Sequence, residues 1–245
     1  MTWRTHDVSY VTGLFVGCRV TGSRIEHPIV MPTFFSGGKP IRIDQHEPKT
    51  SGPHPAILLL HGSGGNIGLW SDKIAPYVTG RGISLYAAHY FESTGTDRAD
   101  YDTIIDGVHF PAWLATVADA LAWMRTQPRV DPDRIALIGI SLGGFLALSL
   151  ATDPAANIRA IVELSGGLPD PYRAMATPTF PPTLIFHGAD DTYVTVSDAE
   201  KLIARLKELK VVHEAHIFRG QGHFFSGTTQ LQILMTTANF LSKYL

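Results

Sequence analysis

The sequence predicts an α/β protein, a mostly parallel twisted sheet with helices on both faces and an antiparallel N-terminal edge. Three observations carry that expectation. Strand-like runs at 56–60, 83–88, 134–139, 158–164, 183–187 and 213–218 alternate with helical stretches, the pattern of a parallel sheet wrapped by crossover helices. Glycine-rich segments follow several of these runs, and such loops lie at the strands' carboxyl ends, where sheets of this kind bind ligands. Residues 1–53 instead hold short β-type runs at 8–12, 14–20 and 40–43 broken by Gly and Pro, which reads as a hairpin region on the sheet's edge.

Bulk properties narrow the function. At 245 residues the chain is long enough for one sizeable core, so a single domain over 1–245 is expected, with 54–245 as its core. The formal net charge is −2 and the Lys and Arg residues are scattered, which argues against nucleic acid as a partner. The one cysteine, Cys18, permits no intrachain disulfide and reads as a small hydrophobe. No apolar stretch reaches the length of a membrane span, and the N-terminus has no signal-type region; no membrane partner and a cytoplasmic location are expected.

The run at 56–60 (AILLL) leads into His61-Gly62-Ser63-Gly64-Gly65. Glycines after a strand let backbone N–H groups point at a ligand, and acyl transfer needs two such donors for its oxyanion. Ser63 is the candidate here and Leu142, after the candidate nucleophile, is the other. After 83–88 comes a long connection, 89–108, leaving the sheet at its active edge; segments of that length are usually functional or mobile. It carries Tyr90 and Phe91, and Phe110 and Trp113 open the next helix. With Leu168 and Phe224 these are candidates for an apolar substrate pocket, each equally open to an ordinary core role. Helical periodicity is clearest at 113–125 and 198–210, where Ala199, Leu202, Ile203 and Leu206 share one face. Asp131-Pro132-Asp133 reads as a turn into the next strand.

That strand, RIALI at 134–138, runs into Gly139-Ile140-Ser141-Leu142-Gly143 and then GFLALSL. A serine between strand and helix sits on a sharp turn, and the flanking glycines let the two elements approach closely. Such a turn raises the hydroxyl of Ser141 above the sheet edge as a nucleophile. In a chain with 23 glycines the pattern alone is weak; its weight comes from an acid and a histidine placed after it in the chain. After 183–186 (TLIF) stands His187-Gly188-Ala189-Asp190-Asp191, which offers an acid at a strand end to orient a histidine. The residues alone do not separate Asp190 from Asp191. After 214–218, Gly220-Gln221-Gly222-His223 supplies a histidine last in a Ser, Asp, His order, suited to act as general base.

Two metal-like patterns carry little weight. In His213-Glu214-Ala215-His216 the second histidine comes one position too early for the helical zinc motif, and the segment alternates like a strand. Asp97, Asp100, Asp102 and Asp106 lack the glycine-punctuated spacing of a calcium loop and read as a solvated loop before a helix. No metal is expected.

The segments LLLHGSGG, AAHYFESTGT, RIALIGISLGG, FHGADDTYV and HIFRGQGHFF together resemble the dienelactone hydrolase family of the α/β-hydrolase superfamily, over roughly 54–245. The family's acid motif, H-G-x-x-D-x-x-V, falls on His187, Gly188, Asp191 and Val194, and so the resemblance selects Asp191 over Asp190. Two features depart from enzymes that act on dienelactone itself. Those use cysteine where Ser141 stands, and bind a substrate carboxylate through an arginine where this chain has Tyr90-Phe91-Glu92-Ser93. Glu92 would repel an anionic substrate if it faced the pocket. The expected activity is therefore hydrolysis of small neutral carboxylic esters through an acyl-enzyme, by Ser141, Asp191 and His223, with no cofactor. Amide hydrolysis of the acyl-peptidase kind, lactone hydrolysis and non-catalytic binding of a small molecule are the alternatives.

Overall fold

A computed structural model describes residues 32–245. The β-type runs expected at 8–12 and 14–20, and Cys18, lie outside the described residues. Eight strands form one sheet in the order β1-β2-β4-β3-β5-β6-β7-β8. They are β1 Thr33–Ser36, β2 Lys39–His46, β3 His54–Leu60, β4 Ser84–Ala88, β5 Val130–Ile140, β6 Ala160–Leu164, β7 Thr183–Gly188 and β8 His213–Phe218. The hairpin β1–β2 and the β2–β4 pair are antiparallel, and every other pairing is parallel. The antiparallel edge is thus present at 33–46.

The strand sequences explain why helices cover both faces. In β3, Ala56, Leu58 and Leu60 belong to one apolar cluster while Ile57 and Leu59 belong to the other. The same division separates Ile135 and Leu137 from Ala136 and Ile138 in β5. Alternate side chains point to opposite faces, so a strand buried on both sides reads as an unbroken apolar run. Helices α3 (His109–Arg125), α4 (Leu142–Leu150) and α6 (Val196–Glu208) seal the first cluster. Helices α1 (Ile67–Thr79) and α7 (Thr228–Tyr244) seal the second. Each fully buried Leu or Ile side chain in these clusters contributes about 1.5–3 kcal/mol over an exposed one.

The helix read at 113–125 begins four residues earlier, because Oδ1 of Asp106 accepts from the N–H groups of Val108 (2.7 Å) and His109 (2.9 Å). The one read at 198–210 runs instead over α6 and stops before Lys210, whose φ of 57° ends helical geometry. The stretch 89–108, read as one long connection, carries structure of its own. It contains a 3₁₀ turn at Tyr90–Ser93 and the short helix α2 (Tyr101–Ile105), and Asp100 caps α2 through the Thr103 N–H at 2.9 Å. Asp100 is therefore the N-cap of α2, and Asp106 accepts from the N–H groups at the start of α3, which is how short polar side chains satisfy orphan N–H groups. Asp131-Pro132-Asp133, read as a turn before the strand, lies within β5 as an excursion. While β3 advances from His54 to Ala56, β5 advances from Val130 to Ile135. One further short helix, α5 (Tyr172–Met175), follows β6.

Candidate active site

Ser141 ends the run from β5 with φ 54° and ψ −118°, a conformation that costs a non-glycine residue on the order of 1–3 kcal/mol. The surroundings over-determine it. A Cβ at Gly143 would sit 2.6 Å from the carbonyl oxygen of His61 and closer still to that of Leu60. A Cβ at Gly139 would meet the backbone of Gly143 and Gly144. These two glycines permit the turn, and the Ser141 N–H donating to Leu164 O at 2.8 Å ties it to β6.

The hydroxyl of Ser141 lies 3.0 Å from Nε2 of His223, and Nδ1 of His223 lies 2.7 Å from Oδ2 of Asp191. A carboxylate accepts, so Nδ1 carries the imidazole proton and Nε2 is left to take one from the serine. Asp191 is held by its other oxygen, which accepts from the N–H groups of Tyr193 (2.8 Å) and Val194 (3.0 Å). Asp190 is exposed, and what holds it is its backbone N–H donating to Gln221 O at 3.0 Å. Of the two aspartates left open by the residues alone, Asp191 meets the histidine. The acid and base loops are fitted closely: a Cβ at Gly188 would collide with the backbone of Gln221 and Gly222.

Ser63 and Leu142 flank the serine. A Cβ at Gly62 would lie 3.3 Å from Ser141 Cβ, so the 61–65 loop passes directly beside the hydroxyl. Ala99 N–H donates to Ser63 O at 2.9 Å and fixes that loop. Leu142 is the first residue of α4, whose leading N–H groups have no partner inside the helix. Among the described residues neither Ser63 N–H nor Leu142 N–H has a backbone acceptor. His61 is buried, its ring stacked 4.0 Å from Tyr90, and burial pushes its pKa down to about 4 against the pull of the Gly62 carbonyl. It is uncharged at neutral pH.

The apolar pocket candidates divide sharply. Tyr90 and Trp113 are fully buried, with Tyr90 Oη donating to His61 O (2.7 Å) and Trp113 Nε1 to Thr94 Oγ1 (2.8 Å). They are core residues whose polar ends are satisfied within the fold, not pocket walls. Leu168 is core too, and half-buried Phe110 packs on Tyr172. Phe91 borders a cleft of about 420 Å³ that also touches His61, His89, Arg42 and Glu92 and so mixes polar and apolar walls. Ser141 does not line that cleft. Phe224 is 74% exposed, its ring edge-on to His223 at 5.1 Å. Tyr193, absent from the sequence-based candidates, is 68% exposed and lies 5.3 Å from the same imidazole. These two aromatics stand at the mouth of the site.

Glu92 forms an ion pair with Arg42, Nε to Oε1 at 2.5 Å, and its other oxygen accepts the Arg42 backbone N–H at 2.8 Å. Its charge is thus matched locally. Sequence reasoning also passed over Glu163 and Ser165 at the end of β6. Their signal was present: an acid inside the apolar run AIVEL, followed by Ser-Gly-Gly at a strand end.

Known proteins share both the sequence pattern and the architecture. The profile of the dienelactone hydrolase family matches residues 44–236. A Mycobacterium tuberculosis protein described as a candidate phosphoribosyl transferase is 27% identical over 187 residues, covering 75% of this chain and 41% of the relative. Acyl-coenzyme A thioesterase 5 of Mus musculus is 30% identical over 119 residues, covering 49% of this chain and 25% of the relative. This chain therefore spans less than half the length of either. Among solved structures, a dienelactone hydrolase-like promiscuous phosphotriesterase from metagenomic libraries superposes with a TM-score of 0.73 at 20% identity, over 86% of this chain and 96% of that one. No helix among the described residues is long and apolar enough to cross a membrane.

Proposed function

The chain belongs to the dienelactone hydrolase family, and on that premise we propose that it is a hydrolase that cleaves small neutral carboxylic esters through a covalent acyl-enzyme on Ser141. The observation that carries this reading is His223 bridging Ser141 Oγ at 3.0 Å and Asp191 Oδ2 at 2.7 Å. As Ser141 Oγ attacks the ester carbonyl, Nε2 of His223 takes its proton and Asp191 stabilises the imidazolium. The carbonyl oxygen becomes an oxyanion bound by the N–H groups of Ser63 and Leu142. A donor of this kind is worth roughly 10²–10³ in kcat. The intermediate collapses with loss of the alkoxide, which His223 protonates, leaving the acyl group on Ser141. Water then attacks the acyl carbon, gives its proton to His223, and the acid is released as Ser141 recovers its proton.

Preference for a neutral substrate rests on the charges at the position where carboxylate-binding relatives place arginine. Glu92 stands there, and it already occupies Arg42. The nearby His61 is uncharged. Burying a free carboxylate without a partner costs several kcal/mol. Incubation with p-nitrophenyl acetate and butyrate, beside peptide anilides and simple lactones, tests the reading. Brisk turnover of the nitrophenyl esters supports it; turnover of anilides alone would replace it with amide hydrolysis.

A further inference from the structure

Glu163 is a carboxylic acid sealed inside β6, and it lies under the proposed nucleophile. It is 0% exposed. It stands two residues after Ile161 along β6 and so shares the face of Ile161, the one covered by α4 and α6. Across the sheet it is paired with Gly139 of β5 and Ile185 of β7. Oε2 accepts the Gly166 N–H at 2.8 Å, and Oε1 is buried with no partner among the described residues.

What Glu163 holds matters more than its burial. The residue between it and Gly166 that makes the turn is Ser165, buried, with φ 53°. Its hydroxyl donates to the carbonyl oxygen of His223 at 3.1 Å. On the other side, a Cβ at Gly166 would sit 3.1 Å from Ser141 O and 3.1 Å from Gly144 Cα, so this turn is pressed against the nucleophile's own backbone. Leu164 O accepts the Ser141 N–H at 2.8 Å. The segment 163–166 therefore touches both Ser141 and His223.

Resting on the triad proposed above, we propose that Glu163 in its uncharged form is a positioning residue. It clamps the Ser165–Gly166 turn and so sets the spacing of Ser141 and His223; ionised, it keeps the Gly166 N–H but leaves a buried charge with no second donor, which displaces the turn and lowers the reactivity of Ser141. A carboxylate in that place has one oxygen bound to a single N–H and the other facing no donor, an arrangement that drives either reprotonation or movement. Burial raises the pKa of Glu163 to about 8, offset in part by the Gly166 N–H. The titratable groups on the elements around it are Asp198 on α6, whose Cβ is near Gly167, and His187, Asp191 and His223 beyond Ser165. None of them hydrogen-bonds to Glu163.

The folded chain keeps a proton on Glu163 that the unfolded chain gives up near its ordinary value of 4.5. The stability that the protonated group confers is present at low pH and lost as pH rises from about 4.5 through about 8. Glu163→Gln keeps an acceptor for Gly166 and has nothing to ionise.

The test compares native protein, Glu163→Gln and Ser165→Ala from pH 6 to pH 10. Three readouts are taken: kcat and KM on p-nitrophenyl butyrate, the rate of fluorophosphonate labelling, and Tm. Native kcat and labelling should fall up to tenfold per pH unit above about 8. Glu163→Gln should match native within threefold at pH 7 and lack that fall, while its Tm gains on the native value with rising pH. Ser165→Ala should lower kcat threefold or more at every pH with KM unchanged. The same alkaline fall in Glu163→Gln, or a Tm difference that does not change with pH, would overturn the proposal. Labelling without ester turnover would count against the ester reading alone, and the labelling profiles would then decide the role of Glu163.

Discussion

Replacing Asp191 with Asn changes one atom and inverts the hydrogen bonding of the site. Oδ1 accepts two backbone N–H groups, from Tyr193 at 2.8 Å and Val194 at 3.0 Å, while Oδ2 faces Nδ1 of His223 at 2.7 Å. The two N–H donors fix the amide oxygen of Asn where Oδ1 stood. The amide nitrogen then falls at the Oδ2 position and aims a hydrogen at Nδ1. His223 responds by carrying its proton on Nε2, which faces Ser141 Oγ at 3.0 Å as a donor and takes no proton from it. The expected loss is about 10⁴ in kcat, or about 5.5 kcal/mol of barrier at about 1.36 kcal/mol per decade. Folding is not the cause, because both backbone N–H groups keep an acceptor. The assay is kcat on p-nitrophenyl butyrate with a thermal melt of the same sample, beside Asp190→Asn. The exposed Asp190 variant should keep at least half its activity. The reasoning is refuted if Asp191→Asn keeps a tenth of native kcat, or if Asp190→Asn is the more damaging change.

Three further outcomes are expected. Gly143→Ala forces a Cβ to 2.6 Å from His61 O, so kcat should drop at least a hundredfold with a lower Tm; native-like kinetics and melting would contradict the close fit of the turn at Ser141. For one substrate as methyl ester and as free acid, kcat/KM should favour the ester at least tenfold; preference for the acid would mean that a cation such as Arg98, Arg173 or Arg219 reaches the site. Arg42→Ala should leave Glu92 without its ion pair and deepen the discrimination against the free acid. An unchanged ratio would show that Glu92 does not sense the substrate.

Much of the fold was legible because parallel strands buried on both faces leave unbroken apolar runs. The stretches 56–60, 183–187 and 213–218 are matched within two residues by β3, β7 and β8. The candidate site was legible as a set of loops, because glycine clusters after strands mark the loops that gather at one sheet edge. Other features depend on three-dimensional surroundings. Nothing local distinguishes Tyr90 and Trp113, sealed in the core, from Phe224 at the surface. Helix α1 carries Gly68 and Pro76, which blur its periodicity and hide its bounds in the sequence. The choice between Asp190 and Asp191 depends on which carboxylate the chain turns toward His223, and only the family motif carried that information in sequence. Glu163 is visible in sequence as the acid of AIVEL, but its contact with Gly166 and the Ser165 contact with His223 exist only in the folded chain.

The central claim is that Ser141 is the nucleophile, and covalent labelling tests it most directly. The native chain is treated with a fluorophosphonate, digested, and the modified residue located by mass spectrometry, with Ser141→Ala in parallel. The expected result is a single label on Ser141, its complete loss in the variant, a fall in kcat of roughly 10⁴ or more and an unchanged melting curve. A label on Ser63 or Ser165, or labelling that persists in Ser141→Ala, would contradict the account.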